Sequence, residues 1–326
     1  MNKFVTILFI SLLLLGGATM TVCAQTTEDT EIATAPINPT LSAMNQVPLR
    51  IGTSEARVAQ VALMVNKDYP PGQPTFYVAD RTLRMPAQFV ANDPRRRSEV
   101  GLEWTFDTRR SQPQTILNGI PQLWNSSEAV DQTRIAINRW ISLPCYSAYF
   151  AELPYPIAPG FENIEWIDDF YLGAEPQRFR PVAEITVGGF LPASFFRQIY
   201  GVNGDDILGV TFQFVFYDRA TGLPTDIDHN GKMDVFWSEI YFNDLHYWGD
   251  ATAPGVDPFS VVDLQAVALH ESGHAFGLGH FGQMFQNHGG FQIADYNIMN
   301  RVYPGPLRTI TGTPTATFCG LYGNWR

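Results

Sequence analysis

The chain has 326 residues, 45% of them hydrophobic, and a formal net charge of −11. That length and apolar content exclude a disordered tail or a small stapled scaffold as the whole molecule, and leave room for one or two domains with a sizeable core. The acidic balance argues against nucleic acid or an anionic membrane surface as a partner.

Residues 1–24 read as a signal peptide, with Lys3 near the start, an apolar run from Phe4 to Leu15, and Val22-Cys23-Ala24 as a small-residue cleavage site. The run is too short for a transmembrane helix, so an exported chain without stable membrane insertion is expected, secreted or periplasmic. A lipid anchor on Cys23 is disfavoured by the bulky Val22 before it. From Gln25 to about Arg50 the composition predicts a flexible leader. Val58 to Val65 is apolar enough for a strand, closed by the Pro70-Pro71-Gly72 turn, so 25–97 is expected to hold a leader and a small pre-domain or prosegment. Arg95-Arg96-Arg97 reads either as an exposed basic turn or as a processing cut.

The main domain is expected over 98–326. Trp104-Thr105-Phe106 reads as its first strand, and Val130 to Trp140 as an amphipathic helix ended before Pro144. Ala151 to Pro159 is a proline-rich loop. Three β-like runs follow, Ala183 to Val187, Ile207 to Phe216 and Glu239 to Phe242. Phe212, Phe214 and Phe216 recur at every second residue, which places them on one face, against a helix. Cys145 and Cys319 are expected to form one disulfide in an oxidising compartment, the alternative being two separate buried thiols.

Asp226-Ile227-Asp228-His229-Asn230-Gly231-Lys232-Met233-Asp234 sets oxygen-bearing side chains at alternate positions around a glycine. Asp226, Asp228, Asn230 and Asp234 are therefore candidate Ca²⁺ ligands, although Trp237 stands where an EF-hand loop has its bidentate Glu. The other reading is a plain turn holding no ion.

Ser260 and Asp263 form an N-terminal capping pair, and Val261, Val262, Leu264, Val267 and Ala268 supply an apolar face, so a helix is expected from Val261 to Phe276. One turn apart, His270 and His274 share a face and reach one ion. Gly277 favours the left-handed conformation that stops a helix, which lets His280 approach from another direction. Three neutral nitrogens at about 2.0–2.1 Å suit Zn²⁺ with one position open for water. Glu271 lies beside the first ligand, where a carboxylate takes the proton of a zinc-activated water and passes it to a leaving amine. These residue types suggest amide hydrolysis. The competing reading is three histidines scattered on an ordinary helix and loop.

His270 to His280 fits H-E-x-x-H-x-x-G-x-x-H, and in this the chain resembles the metzincin zinc metallopeptidases. The resemblance implies an α+β fold: a twisted mixed β-sheet, an active-site helix and a C-terminal subdomain carrying a Met-turn. Asn297-Ile298-Met299-Asn300 resembles that turn, giving Met299 the place beneath the metal. Glu239 to Asp244, Tyr303, Leu321-Tyr322-Gly323, Ala136 and Trp140 are similar to the matrixin branch. Phe281 departs from it, standing where matrixins usually have Ser, and no cysteine precedes Cys145 in the mature leader, so thiolate latency is not available. His229, His246 and His288 do not reproduce the matrixin structural zinc and are expected to be ordinary surface or core histidines.

The implied function is an exported zinc endopeptidase holding an extended peptide along an edge strand, either Glu239 to Asn243 or Thr211 to Phe216. The rival is a binding or surface protein on a catalytically dead metzincin scaffold, which would have no need of Glu271. The substrate and the oligomeric state have no signature in the sequence.

Overall fold

The computed structural model describes residues 49–51, 54–66, 87–96, 98, 101–155, 167, 182–287 and 290–325. The proposed signal peptide, Cys23, the leader up to residue 48, the Pro70-Pro71-Gly72 turn, Arg97 and His288 lie outside them.

Fourteen strands and four α-helices are described, in an α+β arrangement. The strands are β1 (Leu49–Ile51), β2 (Ser54–Val65), β3 (Ala87–Gln88), β4 (Gly101–Phe106), β5 (Gln114–Leu117), β6 (Ile120–Leu123), β7 (Tyr149–Glu152), β8 (Ile185–Leu191), β9 (Ile207–Tyr217), β10 (Met233–Asn243), β11 (Trp248–Gly249), β12 (Val262–Asp263), β13 (Gln283–Asn287) and β14 (Gly290–Ala294). The helices are α1 (Ser126–Ile141), α2 (Ala193–Tyr200), α3 (Leu264–Ala275) and α4 (Thr313–Tyr322). A mixed sheet runs β1-β2-β9-β10-β8-β4-β7, with β3 paired to β10. Its parallel pairs are β4 with β7, β4 with β8, and β10 with β8. β9 lies antiparallel to both β10 and β2.

Within 25–97, where a pre-domain or prosegment was expected, β2 pairs with β9 from Glu55↔Tyr217 to Val65↔Ile207 and so joins the main sheet. Its apolar, partly β-branched sequence suits a strand covered on both faces. Arg95 and Arg96 are not an exposed turn either. Arg95 bonds Asp93 and Asp234 and lies 4.1 Å over the ring of Phe216. Arg96 is buried, donates to the carbonyl of Gly101 and stands 3.8 Å from Glu184. Neither is free to enter a processing protease.

Two apolar layers flank the sheet. Phe212, Phe214 and Phe216 do share a face, and the helix they meet is α2: Phe195 packs on Phe212 and Tyr241, while Phe214 stacks on Trp237 at 3.8 Å. The other layer holds α1, α3 and α4 around Trp104, Trp140, Val267, Phe276, Met299 and Phe318. Cys145 and Cys319 are joined as a disulfide with Cα atoms 5.4 Å apart, tying the segment after α1 to α4.

Helix α1 starts at Asn125, whose side chain accepts the N–H of Ser127. Helix α3 starts later than the capping pair suggested. Val262 and Asp263 pair with Trp248 and Gly249, and Asp263 alone caps the helix, accepting the N–H of Ala266. Arg308 closes around the same carboxylate and Asp250, so the cap is neutralised as well as bonded. All twelve residues of α3 are buried. It is a core helix enclosed on every side, not one with a single apolar face.

A converging set of three histidines beside a buried carboxylate

Helix α3 sets His270 and His274 one turn apart, as their spacing requires. Gly277, at φ 88°, then ends the helix: its N–H bonds the carbonyl of His274, and the N–H of Leu278 bonds the carbonyl of Gly273. The reversed chain brings His280 back towards the pair. Nε2 of His274 lies 2.9 Å from Nε2 of His270 and 3.1 Å from that of His280.

Backbone carbonyls fix the rings. Nδ1 of His270 meets the carbonyl of Ile298 at 2.7 Å, and Nδ1 of His274 meets that of Leu278 at 2.7 Å. A carbonyl only accepts, so each Nδ1 carries the proton and each Nε2 is left with a bare lone pair. The ring of His280 has the backbone of Leu63 as its partner. Lone pairs facing one another at about 3 Å repel unless a cation stands among them. A tetrahedral ion with bonds of about 2.0–2.1 Å would set neighbouring nitrogens roughly 3.3 Å apart, a few tenths of an ångström from what is found. The donor set therefore fits a divalent metal. Burial keeps the three rings neutral, as ligands must be: it holds His274 down to about 4 and His270 and His280 well below the usual range.

The turn at Asn297 to Asn300 supports this group from below. Asn297 Oδ1 accepts the N–H of Met299, Asn300 Oδ1 accepts that of Asn297, and the carbonyl of Met299 accepts the N–H of Phe281, next to the third histidine. Met299 is buried against Gly273, where a Cβ would lie 2.5 Å from its Sδ. The glycine thus lets the sulfur close up on α3 between His270 and His274. Tyr303 is also joined to the ligand helix, its hydroxyl accepting the N–H of Asp263.

Glu271 is fully buried on the side of α3 that faces β9 and β2. Its Oε2 accepts the Thr211 hydroxyl at 2.6 Å and its Oε1 accepts the N–H of Met64 at 3.1 Å. Gly209 makes room for it: a Cβ there would lie 2.9 Å from Cγ of Glu271. Burial pushes the carboxyl up to about 8, against those two hydrogen bonds.

That shift gives the metal-free protein a pH dependence of definite sign. A carboxyl raised in the folded state binds more protons there than when unfolded, so its contribution is full below about pH 4.5 and is lost as pH rises through about 8. The lowered histidines act oppositely, but only below about 6.5. Between about pH 6.5 and 8 Glu271 acts alone, and the chelated protein is expected to lose about 2 kcal/mol of stability. Melting curves of chelated wild type and Glu271→Gln at both pH values check this, since the variant should show no such loss.

The side chains of Asp226, Asp228 and Asp234 gather, with one oxygen from each within 4.8 Å of the others. Asn230 lies in the same loop and is hydrogen-bonded within it. Its Oδ1 accepts the N–H of Lys232 and its Nδ2 donates to Asp228. Asp234 already accepts from Arg95, Thr225 and the N–H of Ile227. His229 is exposed, and His246 bonds the carbonyl of Ile207; neither falls in a metal-capable group among the described residues.

Thr211 and Gln213 were not singled out as site residues, yet both hold α3: Thr211 through Glu271, and Gln213 by donating to the carbonyl of His274. Their signal was present, two polar residues on the face opposite three phenylalanines. Ile298 and Leu278 act through backbone carbonyls, which no residue type announces. No protein-family model matches this chain, and no match is found among curated proteins.

Proposed function

We propose that this chain is a secreted zinc endopeptidase of metzincin type, closest to the matrixins, in which His270, His274 and His280 hold the metal and Glu271 is the general base. The observation that carries this reading is the convergence of three imidazole Nε2 atoms beside a buried carboxyl group. Zinc bound there would supply a water acidic near neutral pH and an electrophile for a carbonyl. The chain's own part is then defined. Ile298 and Leu278 orient two of the ligands, Thr211 and Gly209 position Glu271, and Glu271 moves a proton from water to the departing amine. The reading of a dead binding scaffold has less support, because a binding module needs no general base beside the three histidines.

The disulfide suits an oxidising compartment, in keeping with export. Among the described residues no helix is long and apolar enough to cross a membrane. We also propose a Ca²⁺ ion for the Asp226, Asp228 and Asp234 group, since three converging carboxylates favour a hard cation; Arg95 meets part of that charge. A protein giving no calorimetric heat with Ca²⁺, and melting unchanged in chelator, would remove that ion from the account.

The main test is elemental zinc content together with casein cleavage, for wild type and Glu271→Ala. About one zinc per chain and cleavage by wild type alone are expected. Absence of zinc, or equal cleavage by both proteins, would overturn the assignment.

A further inference from the structure

Both strands considered as docking edges for a peptide are already covered. β10 lies between β8 and β9, and β9 lies between β10 and β2. The cover on β9 is the chain's own segment Ser54–Val65, and its last three residues pass through the histidine site.

Leu63, Met64 and Val65 are held on both sides. Along one side they pair antiparallel with β9, Leu63 opposite Val210 and Met64 opposite Gly209. Along the other, the N–H of Val65 donates to the carbonyl of Arg301 at 2.9 Å and the N–H of Tyr303 donates to that of Val65 at 2.8 Å, in parallel alignment with Val302. Between these rails the Leu63–Met64 peptide unit is bracketed by the site itself. Its carbonyl side meets His280, and its N–H meets Glu271. The Met64 side chain is fully buried in the layer that contains Met299 and Tyr303, while Leu63 and Val65 point to the other layer. A strand serving only to extend the sheet has no reason to place one peptide bond between a metal-site histidine and the buried carboxylate.

We propose that Ser54–Val65, held between β9 and Arg301–Tyr303, is a tethered substrate whose Leu63–Met64 bond the chain hydrolyses. This rests on the zinc peptidase reading. Water adds to the Leu63 carbonyl carbon, the bond from that carbon to the Met64 nitrogen breaks, and Glu271 carries a proton from the water to that nitrogen. The products are a carboxylate at Leu63 and a free amine at Met64, with no other reactant consumed.

The full chain, loaded with zinc, is followed by intact mass and N-terminal sequencing. A new terminus at Met64 is expected, formed at a rate independent of protein concentration and slowed by about 10²–10⁴-fold in Glu271→Gln. Met64→Ala is expected to slow the cut by about 10²-fold, the order of loss for a truncated apolar side chain in a fitted pocket. Hydrogen exchange on metal-free Glu271→Gln supplies a reading that does not depend on activity: the amides of Met64 and Val65 should be as protected as those of β9. Exchange at free-peptide rates, cleavage at another bond, or a rate rising with concentration overturns the inference. Casein cleavage by a chain that stays whole at Leu63–Met64 overturns it and leaves the peptidase reading standing. Zinc binding with no cleavage of casein or of the chain overturns both.

Discussion

Replacing Glu271 by Gln is expected to lower peptide hydrolysis by about 10²–10⁴-fold, the usual contribution of a positioned general base, while leaving the zinc content unchanged. The variant separates proton transfer from folding because its amide fits the existing partners. The amide oxygen still accepts the N–H of Met64. The Thr211 hydroxyl, which also lies 3.0 Å from the Glu271 carbonyl, turns its hydrogen there and accepts from the amide instead. No metal ligand is touched, and α3 keeps its cap at Asp263. Zinc analysis and casein hydrolysis on one preparation check the prediction. A variant that loses zinc together with activity would move Glu271 from chemistry to metal retention.

Loss of the Cys145–Cys319 disulfide, by Cys145→Ala with Cys319→Ala, is expected to destabilise the fold by about 3 kcal/mol and to lower its melting temperature by roughly 5–10 °C. The bond joins positions 174 residues apart, and closing so long a loop removes much of the freedom of the unfolded chain. Its site links it to the ligand helix. Tyr146 and Phe318 pack around it, and Phe318 and Tyr322 press on Phe276, which ends α3. Tyr322 also donates to the carbonyl of Phe276. Activity per folded molecule at low temperature should be little changed, because Ile298 and Leu278 hold the histidines independently. Thermal melts with and without reductant, alongside the double variant, measure the effect.

What was legible in the sequence was local. His270, His274, Gly277 and His280 act within eleven residues, where helical pitch and a glycine stop determine the geometry. Met299 lies further along the chain but was named through the resemblance. Most expected strands were found with longer bounds, because pairing extends past the most apolar residues, as in β10 beyond Glu239 to Phe242, whereas the run expected over Ala183 to Val187 is a strand only from Ile185, continuing to Leu191. The misplaced start of α3 has a comparable cause. Ser260 and Asp263 both suit a cap, and only the pairing of Val262 and Asp263 with Trp248 and Gly249 decides between them. The role of Ser54–Val65 was not legible at all, since its partner β9 lies some 150 residues on and loop closure over such a distance leaves no periodic trace. Arg95 and Arg96 misled for a similar reason. Their carboxylate partners Asp234 and Glu184 are remote, so a buried anchor read as a basic turn.

The enclosure of α3 has a consequence for how the gene tolerates change. A helix at a protein surface accepts substitutions with the rhythm of its turns, and α1 should behave so, with Ile135 exposed while Ala136, Ile137 and Trp140 are buried. None of the twelve residues from Leu264 to Ala275 has a solvent face. A library of variants across that segment should therefore return an unbroken block of intolerant positions, in which Ala266 and Ala268 resist enlargement as firmly as His270 resists replacement.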